Sequence, residues 1–188
     1  LELAADATAW KREASSLRRQ VLRDVVFRGV PASWRRPSPV VEWLGRIETA
    51  EGYSIRKLRV EALPGLWIPA LLYEPDKLEG EVPVILNGNG HAATGKVTSY
   101  KQIRCINQAK QGMLALNLEW IGMGQLRSDG YSHNHLGLLD LCGRSGLSVF
   151  YLAMSRGIDV LLDHPHAEPE RMAVTGLSGG GWQTIILS

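Results

Sequence analysis

The sequence predicts an α/β protein: a mostly parallel sheet with helices on its faces and an antiparallel hairpin leading into it. Three observations carry this. The segments "VPVILNG" (82–88), "MLALNLE" (113–119) and "RMAVTG" (171–176) are continuous apolar runs, as expected of strands buried on both faces. Helical patterns alternate with them: "TSYKQIRCINQAKQG" (98–112), "GLSVFYLAMSRGIDVLLDH" (146–164) and the start of a further helix in "GGGWQTIILS" (179–188). Such alternation demands parallel pairing through right-handed crossovers. Upstream, "SIRKLRVEAL" (54–63) and "LWIPALLYEP" (66–75) are extended runs joined at Pro64-Gly65, which is a hairpin signal.

The elements before the hairpin read as helical. Residues 2–28 place Leu3, Trp10, Leu17, Val21 and Val25 at helical spacing. The Pro-rich stretch "GVPASWRRPSP" (29–39) breaks that helix, and "VVEWLGRI" (40–47) reads as a short further one. Residues 1–50 are therefore expected to form a helical extension and residues 51–188 the α/β portion. No internal repeat or low-complexity linker interrupts the chain.

Bulk composition narrows the function classes. The chain has 188 residues, 45% hydrophobic and 21% charged, enough for one globular domain with a real core. A net charge of +2 argues neither for nor against nucleic acid, and the Arg cluster at Arg18, Arg19, Arg23, Arg28, Arg35 and Arg36 reads as a solvated helix face and loop. No apolar run approaches the roughly 18 residues that span a bilayer, and no signal peptide is visible. The chain begins at Leu1, so an upstream segment is expected. Two cysteines, Cys105 and Cys142, make neither a disulfide framework nor a zinc spacing. No metal and no cofactor is expected, nor any nucleic-acid or membrane partner. Oligomeric state stays open; so does compartment, with a secreted or periplasmic location slightly favoured over the cytoplasm.

The glycine-rich loop "VILNGNGHAATGKV" (84–97) reads three ways. Gly90 to Lys96 spells a phosphate-loop GxxxxGK, but Val97 stands where Ser or Thr would hold magnesium. Gly88 to Ala93 spells the dinucleotide pattern GxGxxA, with Glu119 at the end of the next strand as the acidic partner. That Glu lies farther on than the usual separation of about 20 residues. A glycine loop after a buried strand can also offer a backbone N–H to an oxyanion.

The stretch "AVTGLSGGGWQT" decides among them. Gly176-Leu177-Ser178-Gly179-Gly180 is GxSxG, a weak motif by itself that needs strand, sharp turn and helix around it. "RMAV" supplies the strand and "GGWQTIILS" the helix. Glycines two before and two after the Ser let strand and helix pass closely while the hydroxyl is exposed. A helix N-terminus also aims its dipole at developing negative charge.

With these motifs in view, the chain resembles the α/β-hydrolase superfamily, in the branch of acetyl xylan esterases with their dienelactone-hydrolase and prolyl-oligopeptidase relatives. "VILNGNGH", "LEWIGMGQ", "HAEPERMAVTGLSGGG" and the preceding hairpin carry the likeness, over roughly residues 55–188. The resemblance implies an α/β-hydrolase-type sheet ending here just after the nucleophile helix, with Ser178 as nucleophile. It implies an oxyanion hole from the N–H groups of Asn89 and Gly179; Asn87 departs from the His-Gly that relatives often carry at 87–88. It implies a small or acetylated ester, carbohydrate esters included, as substrate.

Glu119 and Trp120, at a strand's C-terminal end, are candidates for the substrate pocket. Trp182 and Cys105 read as packing, His133 and His135 as a polar loop, and His164 and His166 as turn residues. In this fold the triad runs Ser, Asp or Glu, His. No acid or His follows Ser178 in "GGGWQTIILS", so the triad Asp and His are expected beyond residue 188. The rival readings are a prolyl-oligopeptidase-type peptidase, for which the N-terminal residues are too few to form a propeller, and a catalytically inactive hydrolase-fold binding protein.

Overall fold

The computed structural model describes residues 6–35 and 38–188. Leu3, at the start of the expected first helix, and Arg36 and Pro37 of the Pro-rich break lie outside the described residues. Helix α1 spans Ala7–Val21 and runs on into a π-helical turn, Leu22–Val26. Asp6 caps it, its carboxylate accepting from the Thr8 and Ala9 N–H groups at 2.8 Å. No residue of α1 is buried: the apolar stripe Trp10, Leu17, Val21 faces solvent. Arg18 ties the helix to the far end of the chain, donating to the Leu187 carbonyl at 2.8 Å and to those of Ile186 and Ser188. A cation there complements a helix C-terminus.

The sheet has six strands in the order β1-β2-β3-β5-β4-β6: Val40–Glu48, Tyr53–Leu63, Leu66–Pro75, Val82–Gly88, Leu114–Leu118 and Ala167–Gly176 for β1 to β6. Pairing is antiparallel from β1 through β3 to β5, and parallel for β4 with β5 and with β6. The hairpin, the parallel strands and the helices between them, α2 (Ser99–Lys110) and α4 (Leu147–Leu162), fall where the pattern put them. The stretch "VVEWLGRI" does not. It is β1, the sheet's edge, not a helix, so residue 50 lies in the turn between two paired strands. A short apolar run suits either structure. Here Val40, Val41 and Ile47 are β-branched, and the exposed edge of β2 offers a ladder. Gly45 (φ +126°) absorbs a register shift opposite β2, the Arg56 guanidinium stacks on Trp43 at 3.7 Å and Glu42 pairs with Arg59.

Both faces of the sheet are covered. α4 packs Phe150, Ala153, Val160 and Leu161 on Leu58, Leu86, Leu116 and Leu118. Gly157 lets it come close, since a Cβ there would stand 2.5 Å from Leu118 Cδ1 and 2.9 Å from Leu86 Cδ1. On the other face α2 packs Cys105 and Ala109 with Ile55, Tyr73 and Ala115. Burial pushes the Cys105 thiol up to about 12, consistent with a core thiol rather than a reactive one. Among the described residues no helix is long and apolar enough to cross a membrane.

Candidate active site

β4, β5 and β6 run parallel, so their C-terminal ends open on one edge, where α/β sheets place their sites. β6 ends at Gly176 and α5 (Gly179–Leu187) begins three residues later. Between them Ser178 is exposed and holds φ +58°, ψ −120°, one of two non-glycine residues with positive φ among the described residues. A side chain at that φ is strained and persists only where its surroundings over-determine it. The surroundings are backbone. A Cβ on Gly176 would lie 2.3 Å from Gly180 C, and one on Gly180 would lie 2.3 Å from Gly88 O. Strand, turn and helix pass at a separation only glycine permits, with the end of β4 wedged between them.

The same packing brings the glycine loop to the serine. A Cβ on Gly90 would stand 2.9 Å from Gly179 N, and one on Gly180 3.2 Å from Asn89 N. The backbone nitrogens of Asn89 and Gly179 therefore lie on abutting segments beside Ser178. Gly179 is the first residue of α5, where N–H groups have no intrahelical acceptor. The Asn89 side chain is buried and turned under the sheet, its Nδ2 donating to Asn117 Oδ1 at 2.6 Å and to Leu118 O at 2.5 Å.

Both pocket candidates are buried. Glu119 is turned into the protein. Its side chain is 1% exposed and closes two loops. Oε1 accepts from Lys96 N at 2.7 Å, and Oε2 takes Lys96 Nζ at 3.0 Å and Gln125 N at 3.3 Å. Gly95 and Gly124, both at positive φ, leave no room for a Cβ beside the carboxylate. Trp120 is also buried. Its ring packs under Gly179 and against Phe150, His91 and His133 at centroid distances of 5.0, 5.4 and 5.8 Å, forming a floor beneath the turn.

In front of that floor is a cavity of about 580 Å³ whose lining includes His91, Arg127, Ser128, Asp129, Tyr131 and His133. Its size falls within the usual ligand range. His91 Nε2 and His133 Nε2 are 2.9 Å apart, so at least one ring is neutral. Burial, then the neighbouring His91, lowers the His133 pKa. His135 stacks edge-on with Tyr131, His164 bonds Glu74 at 3.1 Å, and His166 Nδ1 meets Gly80 O at 2.7 Å. Trp182 packs on Phe150. Among the described residues no histidine hydrogen-bonds Ser178, and no group of three His, Cys, Asp or Glu could hold a metal. The loop that builds the cavity wall, 122–133, carries no sequence signal beyond polarity and glycine. His91 could have been singled out because it directly follows the glycine loop.

No protein-family model and no curated protein sequence matches the chain. Solved structures do. A Bacteroides fragilis protein provisionally named an acetyl xylan esterase superposes with a TM-score of 0.81 at 19% identity, over 100% of this chain and 52% of its own. A methylesterase gives 0.75 at 23% identity, over 98% and 40%. Acetyl xylan esterase 1 from Thermoanaerobacterium sp. gives 0.67 at 17% identity, over 89% and 58%. The chain shares the fold of these solved structures. It spans about half of their length.

Proposed function

We propose that the protein is a serine carboxylic-ester hydrolase acting on a small or acetylated ester, with carbohydrate esters the favoured class. The observation that carries this is Ser178 held at positive φ on a strand-to-helix turn, beside the backbone nitrogens of Asn89 and Gly179. The esterases of like fold, which include acetyl xylan and glucuronoyl esterases, support the substrate class.

In this reading the Ser178 Oγ attacks the ester carbonyl carbon while a His base takes its proton. The carbonyl oxygen becomes an oxyanion held by the N–H groups of Asn89 and Gly179, with the α5 N-terminus adding its dipole. Collapse breaks the C–O bond, and the alcohol leaves with the proton from the imidazolium. Water, deprotonated by the same base, then hydrolyses the acyl-Ser178 to the acid and restores the hydroxyl. The base and its orienting acid are assigned to polypeptide beyond residue 188, as chain order in this fold requires. The cavity walled by Arg127, Ser128, Asp129 and Tyr131 would take the alcohol or acyl part, its polar side chains suiting a hydroxylated substrate.

Ser178→Ala in the full-length protein tests this. Turnover of an activated acetyl ester should fall by roughly 10⁴-fold or more, with KM little changed. Near-native turnover by that variant would remove Ser178 as the nucleophile.

A further inference from the structure

α2 presents Lys101, Arg104 and Gln108 on one helical face, at i, i+3 and i+7. That face meets the chain leaving β4 step by step. Gln108 Oε1 accepts from Asn87 Nδ2 at 2.9 Å. Arg104 Nη2 donates to the Gly88 carbonyl at 3.4 Å. Lys101 Nζ donates to the carbonyls of Gly90 at 3.0 Å and Gly95 at 3.1 Å.

Lys101 is 1% exposed and has no ion-pair partner among the described residues. A buried ammonium costs several kcal/mol to desolvate, and here burial lowers the Lys101 pKa. An apolar side chain would fill the same space without that penalty. The ammonium instead holds two carbonyls of the glycine loop.

That loop needs holding from outside. Gly90 faces Gly179 N, and Gly88 faces Gly180 and Met154, too closely for either to carry a side chain that could brace it. Gly88 is held by its pairing with Gly176, but Gly90 lies beyond the ladder, where glycine without bracing is free to rotate its flanking peptides. In a trans peptide the C=O and the following N–H point in opposite directions. Holding the Gly88 carbonyl therefore sets the direction of the Asn89 N–H, and holding the Gly90 carbonyl sets that of His91.

We propose that Lys101 and Arg104 are positioning residues for the oxyanion site: Arg104 fixes the Gly88 carbonyl behind the Asn89 N–H, and Lys101 fixes the Gly90 carbonyl behind the His91 N–H and so seats Gly90 against Gly179. The inference rests on the esterase reading above and assigns a role to a helix that touches no substrate.

The test uses the full-length protein and an activated acetyl ester, with turnover counted per folded molecule from circular dichroism. Lys101→Met should lower kcat by about 10- to 100-fold, since removing an oxyanion donor outright costs about 10²–10³, with KM within about threefold. Affinity for a boronic-acid transition-state mimic should fall in proportion to kcat. Lys101→Arg, which keeps a cationic donor, should recover most of the loss. Lys110→Met, which removes the exposed pair with Glu51 and the contact over the Tyr53 ring, should leave kcat unchanged. Should Lys101→Met fail to fold, the half-buried Arg104→Met should still show a smaller loss confined to kcat. An unchanged kcat in Lys101→Met, or a loss wholly in KM, would overturn the proposal while Ser178→Ala remained inactive. An active Ser178→Ala would instead overturn the esterase reading and this inference with it.

Discussion

Two connections meet in front of Ser178, and they are built on opposite principles. The one after β4, residues 89–98, is held by buried polar groups. The Asn89 amide reaches β5, Asn117 Nδ2 donates to Lys96 O at 3.0 Å, Lys96 pairs with Glu119, and Lys101 holds Gly90 and Gly95. The one after β5, residues 119–146, is a run of short turns: Gly124–Leu126, His133–Gly137 and the four-residue α3, Leu138–Leu141. Beyond Glu119 it is anchored by apolar side chains, Trp120 and Ile121, and toward its end it is open: Leu141 is 84% exposed. In the proposed esterase the first would present backbone donors to within a fraction of an ångström, which a satisfied buried network can do. The second would shape a substrate wall, where change is tolerated.

Substitutions can break that contrast, most severely in the first connection. Gly180→Val drives a Cβ into the Gly88 carbonyl, and even a 1 Å displacement there can cost about 100-fold in rate. We expect loss of soluble protein or at least that loss of kcat. Gly137→Ala in the second connection meets nothing within 4 Å, and its turnover should match the wild type. Comparable losses in both would erase the distinction.

Next in size is Glu119→Gln, which leaves the Lys96 ammonium buried without its counter-charge. Urea unfolding should show a loss of about 3–5 kcal/mol, and removing both partners, as in Lys96→Met with Glu119→Leu, should recover much of it. Equal stability of Glu119→Gln and wild type would mean the pair is solvated.

The smallest effect belongs to His133. Its pKa in the folded protein lies below the ordinary 6.5, so the unfolded chain takes up the proton first as pH falls. The stability it contributes is present above about pH 6.5 and is lost as pH drops through that value toward the folded pKa. Thermal melts of His133→Gln should lie furthest below wild type at pH 7–8, and the gap should narrow toward pH 5. A gap that widens on acidification would reverse the sign.

The frame of the site was legible for physical reasons. β4 spans the same seven residues as its apolar run, and the glycines at 176 and 180 announced a close passage that the Ser178 turn requires. β1 was not legible, because a short apolar segment becomes a strand only when an edge is offered to it. The burial of Glu119 was not legible, because a strand's end predicts exposure to the cleft. Its partner, Lys96, is distant in sequence and meets it only after the sheet forms. Lys101 and Arg104 stand out in no sequence pattern, because their partners are carbonyls that reach them only when the β4 loop is laid against α2.

Treating the full-length protein with an activated organophosphonate ester and mapping the modified peptide by mass spectrometry tests most directly whether Ser178 is the nucleophile. One phosphonyl group per chain is expected, on Ser178, with loss of ester turnover in step with labelling. A label on another residue that abolishes turnover, or turnover that survives full labelling of Ser178, would contradict that role.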